Sequence, residues 1–539
     1  SRPCRFGKPC NMQALYSSAE KALARLVNAG QASLLKGGST GLEKECLRVA
    51  QSGGIARTPH PRTLGSALTN PYITTDYSEA QLELITPPFV DMRESLQFLR
   101  DTQQFVYSRL DDELLWATSM PCILAGEDNI PIAQYGSSNA GLMKTVYRRG
   151  LGHRYGRVMQ VISGVHFNYS FPGALWPVYR ELCADERPLQ EFITDSYFSM
   201  IRNLLRFGWL VPYLFGASPA VCKSFMYGKP VAMQEFDEST YFEPYATSLR
   251  MGDIGYQNRR EAETGVRVGY NSIDDYIASL RAAIETPCPA YEKIGVIVDG
   301  EYQQLNTHIL QIENEYYSSV RPKQVPGFLE KPIRALRRHG VRYVELRSLD
   351  VNAYDPLGIN EEQCRFLEAM MIFCLLLESP PFSGQERDEI DTNLHAVAHK
   401  GREPALVLPH RGASVPLREW ALALCRAIGD VGEVLDAGSA DGPYRRAVHK
   451  QIEAVREPDR TPSARMLAEM RDTHEGFYDF ARRMSQRHHN YFLGLPADGE
   501  RFRVLEESVR RSLDEQRRLE ESDDIPFNEF LRRYFAQTL

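Results

Sequence analysis

The segment GLEKECLRV, residues 41 to 49, places Glu43 and Glu45 two positions apart in a run with strand character. Successive side chains of a strand alternate faces, so both carboxylates leave the same side of a sheet. Two like charges roughly 4 Å apart repel by about 4 kcal/mol at an effective dielectric of 20. A fold that accepts this strand must therefore give that face to water or supply it with cations.

The same parity recurs along the chain. In QLELITPPF (81–89) Gln81, Glu83 and Ile85 share a face; in QVISGVHFNYSF (160–171) Gln160, His166 and Asn168 do; in RYVELRSLD (342–350) Tyr343, Glu345 and Arg347 do. LQIENEYYSS (310–319) is a further strand expectation, and Asp76 lies just upstream of Glu83. For any one strand, solvent exposure is the plain reading. The residues around these groups, however, are small, aromatic or apolar, unlike a wet surface. Gathering Glu43, Glu45, Asp76, Glu83 and Glu345 on one face then calls for hard cations, Mg²⁺ above all, with Mn²⁺ as an alternative. His166 fits a satisfied structural histidine and a ligand equally well. Zinc is disfavoured, because no cysteine or second histidine falls at a suitable spacing.

A phosphate-bearing partner should bring basic side chains. GSSNAGLMKT (136–145) opens like a P-loop, but Leu142 and Met143 precede Lys144 and the match fails. The remaining cations are Lys144, Arg148, Arg149, Arg154, Arg250, Arg321, Lys323 and Arg347, many of them expected to be ordinary surface charges. Arg347 differs, because it follows Glu345 by two on an apolar strand and a buried guanidinium needs an anion.

Strand-like runs alternate with helical patterns at 94–113, 190–206, 272–285 and 361–378, which predicts an α+β catalytic domain over 1–384 with a largely antiparallel sheet. Beyond 385 the segments 416–435, 461–486 and 501–524 have helical amphipathic spacing, with Thr461 and Pro462 as N-cap and first-turn proline. This 385–539 region is expected to pack on the catalytic part, and the charge run 499–524 to be a solvated helix face. Residues 1–10, which lack an initiator Met, are expected to be processed or foreign to the mature chain.

A net charge of −7 and a pI near 6.0 argue against nucleic acid. The longest apolar run, AMMIFCLLL (369–377), is too short for a bilayer, and no signal-peptide pattern appears, so a cytoplasmic monomer without a membrane partner is expected. Ten cysteines without a CxxC pair point to free, mostly buried thiols.

The blocks GLEKECLRV, LGSALTNPYITTDYSEAQLELITP, QYGSSNAG, KTVYRRGLGHRYG, QVISGVHFNYS, FGWLVPYLFGASPAVC, PYATSLRMGDIGY, LQIENEYY and YVELRSLD resemble, in order, the proteobacterial type of glutamate-cysteine ligase. The resemblance runs from about 41 to 378 and more thinly through SARML in the tail. It implies the curved antiparallel saddle of glutamine synthetase and guanidino kinases, with surrounding helices. It implies up to three Mg²⁺ ions around ATP at Glu43, Glu45, Asp76, Glu83, His166 and Glu345. Arg250 and Arg347 match positions that meet the transferring phosphoryl group or glutamate, and Lys144, Arg148, Arg321 and Lys323 are the cations expected to serve the nucleotide. Tyr77, Tyr147, Leu151, Gln160, Tyr256 and Tyr317 match positions lining a cysteine pocket, with Asn168 beside them, although the tyrosines alone fit ordinary sheet aromatics. Leu142 departs from the family, which often carries a basic residue there. The implied reaction joins the γ-carboxylate of glutamate to the amine of cysteine at the expense of ATP. A related ligase for another amino acid, a metal-dependent phosphoesterase and a non-catalytic sensor remain as rivals.

Overall fold

The computed structural model describes residues 16–228, 230–255, 266–496 and 499–537. Seven strands form its main sheet: β1 (Ser39–Ala50), β2 (Ile73–Thr75), β3 (Gln81–Ile85), β4 (Glu113–Leu115), β5 (Gly164–Ser170), β6 (Val320–Lys323) and β7 (Tyr343–Asp350). The order is β6-β7-β5-β1-β3-β2, with β4 on the far end of β1, and every pairing is antiparallel. Mixed helix and antiparallel sheet is what alternation of short strands and helical segments predicts.

Register determines what the acidic face looks like. Glu43 stands opposite His166 on β5, Glu45 opposite Glu83 on β3, and Glu345 of β7 opposite both Asn168 on β5 and Arg321 on β6. Strands far apart in sequence thus bring their polar positions into one row. Pairing between β7 and β5 slips between Leu346 and Leu349, so Arg347 sits at an irregularity that re-aims side chains. Leu42, Leu82, Leu84, Phe167, Leu346 and Leu349 are buried in the largest apolar cluster with the helices Met92–Tyr107, Leu189–Arg206 and Glu361–Leu376. The same cluster takes in Trp420, Leu424 and Ile428 of the helix Leu417–Leu435, so one core joins the sheet to part of the tail.

Several expectations change. LQIENEYYSS forms no strand; its centre is a 3₁₀ turn at Glu313–Glu315, followed by β6. Gln160 ends a short helix, Arg157–Gln160, so it does not share β5 with His166. The segment 461–486 is two helices, Pro462–Thr473 and Phe477–Leu493, broken where His474 takes a left-handed backbone. Thr461 occupies the N-cap position, but its hydroxyl donates to the Pro458 carbonyl at 2.7 Å and caps no helical N–H. The charge run is the helix Gly499–Ser522, whose exposed Arg and Glu side chains pair along its own surface.

The thiol expectation needs a correction too. Cys122 and Cys222, 100 residues apart, form a disulfide, a pairing that spacing cannot reveal. Cys46, Cys288, Cys364, Cys374 and Cys425 are buried free thiols and Cys183 is exposed. Cys4, Cys10 and the 1–10 segment lie outside the described residues. Among the described residues no helix is long and apolar enough to cross a membrane.

Lys44, between the two glutamates of β1, points to the opposite face and is buried, donating to Gln103 Oε1 at 2.8 Å and the Pro356 carbonyl at 3.1 Å. On that side His488 is 5% exposed, and burial, with the charges of Lys44 and Arg487, pushes its pKa down to about 3. The unfolded chain protonates this ring near 6.5 while the folded chain keeps it neutral. Below pH 6.5 the unfolded state therefore binds the extra proton, and stability falls as pH falls, by about 1.4 kcal/mol per pH unit toward pH 3. His488→Gln is expected to flatten the acid limb of a urea-derived stability profile by one proton; an unaltered slope would contradict this assignment.

Candidate active site

On the polar face of the sheet lies a cavity of about 280 Å³. Glu43 and Glu45 come from β1, Glu83 from β3, His166 from β5, Lys323 from β6, and Glu345 and Arg347 from β7, with Asp76 just past β2. All of these line it. His166 stands at the centre: its Nδ1 lies 3.0 Å from Glu43 Oε2 and 3.6 Å from Glu345 Oε1, and its Nε2 lies 3.3 Å from Glu45 Oε1. Ligand atoms of Glu43, His166 and Glu345 fall within 4.8 Å of one another, as do those of Glu45, Glu83 and His166. Asp76 faces the same space but belongs to neither group.

Charge is balanced unevenly across these groups. Burial works against ionised Glu345, yet Lys323, at 3.5 Å, and Arg347, at 3.2 Å, hold its carboxyl well below the usual range. Burial also opposes charge on Glu43 and Glu45, but hydrogen bonds with His166 hold both low. Glu83 has no such partner; burial and the neighbouring Glu43, Asp76 and Glu45 push it well up. Asp76 is raised by burial and by Glu45. Burial and Arg347 press His166 down, but its glutamate partners prevail and lift it to about 9. Burial and like charge thus favour the protonated form at Glu83 and Asp76 alone, a bias that a divalent ion would oppose.

The basic side holds Arg148, Arg250, Arg321, Lys323 and Arg347. Arg250 is 1% exposed; its Nη2 donates to the Arg347 carbonyl at 2.8 Å and its Nη1 lies 3.7 Å from Asp350 Oδ1. Asp350 is in turn held by Ser218 Oγ, Ser248 Oγ and the Ala217 amide. Arg321 donates to the Asn314 carbonyl at 3.0 Å, and Arg148 donates to the Asp76 carbonyl while lying 4.6 Å over Tyr135. Lys144 is absent from the lining; its ammonium stands 5.2 Å over Tyr135.

Gly164 fixes where Arg250 can go. Its amide donates to Glu45 Oε2 at 2.7 Å, and a Cβ there would lie 2.0 Å from Arg250 Nη2. Because the colliding atom is the far end of a side chain, Gly164→Ala is expected to displace the guanidinium without unfolding the sheet. The expected result is a turnover loss of about tenfold or more with a melting temperature near that of the unaltered chain. Full activity in this variant would show that Arg250's position is not critical.

Tyr77, Tyr147, Leu151, Gln160 and Tyr317 line the aromatic end. Asn168 does not line it; its Nδ2 donates to Glu43 Oε1 at 2.9 Å and steadies that carboxylate from behind. Tyr256 lies outside the described residues. Sequence reasoning missed Tyr155, Met159, Asn314 and Glu315, which also line the cavity. Tyr155 was within reach, since Tyr147, Leu151 and Tyr155 follow at i, i+4 and i+8 on the helix Asn139–Tyr155. Arg154, one of the cations weighed for a phosphate-bearing partner, is instead buried against Glu315 at 2.9 Å, and the Tyr155 hydroxyl donates to the same carboxylate.

A protein-family model described as glutamate-cysteine ligase matches residues 23–397. The chain belongs to the glutamate-cysteine ligase family. A glutamate-cysteine ligase of Alcanivorax borkumensis is 46% identical over 524 residues, 96% of this chain and 99% of the relative. One of Pseudomonas putida is 47% identical over 506 residues, 94% and 96%. The crystal structure of the Francisella tularensis glutamate-cysteine ligase, in complex with AMP, superposes with a TM-score of 0.87 at 35% identity, covering 93% of this chain and 98% of that one. A bifunctional glutathione synthetase of Pasteurella multocida, 24% identical, shares the fold at a TM-score of 0.69 over 88% of this chain and 55% of that one. The chain is accordingly a ligase that joins glutamate to cysteine with ATP, the first step of glutathione biosynthesis.

Proposed function

We propose that this ligase works through γ-glutamyl phosphate formed inside the acidic cavity, and that its curved sheet is the saddle of the glutamine synthetase type. One observation carries the reading: two groups of ligating atoms, each within 4.8 Å, share one cavity with Arg250, Lys323 and Arg347. A carboxylate and an amine do not condense in water unless the acyl group is activated. An oxygen of the glutamate γ-carboxylate attacks the γ-phosphorus of ATP, and ADP leaves. The neutral amine of cysteine then attacks the acyl carbon, the carbon–oxygen bond breaks and phosphate departs.

The acidic set fits hard divalent cations. Glu345 Oε2 is buried and carries no hydrogen bond, with Lys323 Nζ 3.5 Å away, and the raised Glu83 and Asp76 carboxyls sit where added positive charge would ionise them. Glu43, Glu45, Glu83, His166 and Glu345, with Asp76 beside them, would hold up to three Mg²⁺ ions, or Mn²⁺. Such ions neutralise phosphate charge. Arg347 and Arg250 meet the oxygens of the transferring phosphoryl group, and Arg148, Arg321 and Lys323 attract the rest of the triphosphate. Lys144, outside the lining, contributes only to the surrounding field. Tyr77, Tyr147, Leu151, Gln160 and Tyr317 shape the pocket for cysteine. A thiol is a weak hydrogen-bond partner, so selection rests on shape, and 2-aminobutyrate should also turn over. The compartment of action is the cytoplasm, where ATP and Mg²⁺ are available.

Glutamate labelled with ¹⁸O in the γ-carboxylate tests the intermediate. With ATP, Mg²⁺ and cysteine, one label should appear in the released phosphate for each ADP formed, and ADP release should fall sharply when cysteine is omitted. Unlabelled phosphate would exclude the acyl phosphate.

A further inference from the structure

A second cavity, of about 610 Å³, shares no residue with the first. It lies between the loop after β7, the helix Pro443–Arg456 and the start of the helix Pro462–Thr473, in a volume suited to a small ligand. SARML, the tail block to which the active site gives no role, supplies Arg465 to its wall, and Arg487 comes from the helix Phe477–Leu493.

Both cations reach the solvent-exposed rim of the cavity, on a chain with net charge −7. The guanidinium of Arg465 lies 4.0 Å over the Tyr354 ring, and neither Arg465 nor Arg487 has an ion-pair partner among the described residues. The acids of the same wall are already engaged. Glu362 pairs with Lys450, Glu453 with Arg456 at 2.8 Å, and Asp355 accepts from Asn352 at 2.6 Å and Asn360 at 2.9 Å.

Two further features point inward. Thr461 and Pro462 line the cavity where the 12-residue helix begins; Pro462 has no N–H, and with the Thr461 hydroxyl turned to Pro458 the helix start has no side-chain cap. An uncapped helix start favours an anion. Gln451 is 5% exposed and lines the cavity, and its amide has no hydrogen-bond partner among the described residues. Its amide, open to the cavity, offers a ligand both a donor and an acceptor.

We propose that this cavity binds a small multivalent anion, carrying phosphate or carboxylate groups, between Arg465, Arg487, Gln451 and the start of the helix Pro462–Thr473. Guanidinium forks match both oxyanion types, so the two classes are separated by experiment.

Calorimetric titration of the full chain, free of Mg²⁺, with inorganic pyrophosphate and separately with citrate tests the site. Binding of either anion is expected to persist when the first cavity loses charge through Arg321→Gln with Lys323→Gln. It is expected to weaken at least tenfold in Arg465→Gln with Arg487→Gln. Gln451→Glu, which leaves the Arg465–Tyr354 contact intact and puts a negative charge into the cavity, should weaken it to a similar degree. Pyrophosphate alone binding assigns a phosphate ligand, and citrate alone a carboxylate one. No binding at millimolar anion, or binding that these tail variants leave unchanged, would overturn the proposal.

Discussion

Arg347→Ala is expected to lower kcat by about a hundred- to a thousandfold while the KM for ATP moves by no more than about threefold. The reason is geometric. Arg347 projects at the register slip of β7, 3.2 Å from Glu345 and beside the Arg250 anchor, so its charge is held where phosphoryl charge spreads during transfer. The ground-state nucleotide retains Arg148, Arg321 and Lys323 as partners in the same cavity. Arg347→Lys keeps the charge but not the planar fork, and should fall between the alanine variant and the unaltered chain. Steady-state kinetics at saturating Mg²⁺ check both. A variant with full kcat and a greatly raised KM would make Arg347 a binding group and remove it from the chemical step.

Glu345→Gln is expected to raise the Mg²⁺ concentration for half-maximal activity by more than about tenfold. Glu345 is 1% exposed, is held ionised by Lys323 and Arg347, and its Oε2, 3.5 Å from Lys323 Nζ, carries no hydrogen bond. The amide keeps the shape and removes the charge a cation needs. Glu368→Gln is the control, because that glutamate is equally buried but lies between the hydroxyls of Tyr169 and Tyr444, away from the cavity. Its Mg²⁺ titration should not move. If both variants titrate alike, the loss reflects a weakened core and Glu345 is no ligand.

The acidic face was legible because strand parity is local: Glu43 with Glu45, and Glu345 with Arg347, can be read from spacing alone. Their meeting across the sheet was not, since Glu45 opposite Glu83 and Glu43 opposite His166 depend on register, which the whole sheet decides. Gln160 shows the limit of parity, because the chain changes from helix to strand between it and His166. Arg154 shows another. A basic residue in a polar run looks like surface until Glu315, 161 positions away, is brought beside it. The Cys122–Cys222 bond and the Lys44–Gln103 contact are of the same kind, set by tertiary packing and invisible to spacing.

Counting bound Mn²⁺ by electron paramagnetic resonance, with and without a non-hydrolysable ATP analogue, bears most directly on whether the sheet gathers its acids around cations. The unaltered chain should take up Mn²⁺ with the nucleotide, and chains carrying Glu45→Gln or Glu345→Gln should each retain less. Free Mn²⁺ signal undiminished by the unaltered chain, or uptake that neither substitution reduces, would show that these carboxylates converge for some other reason.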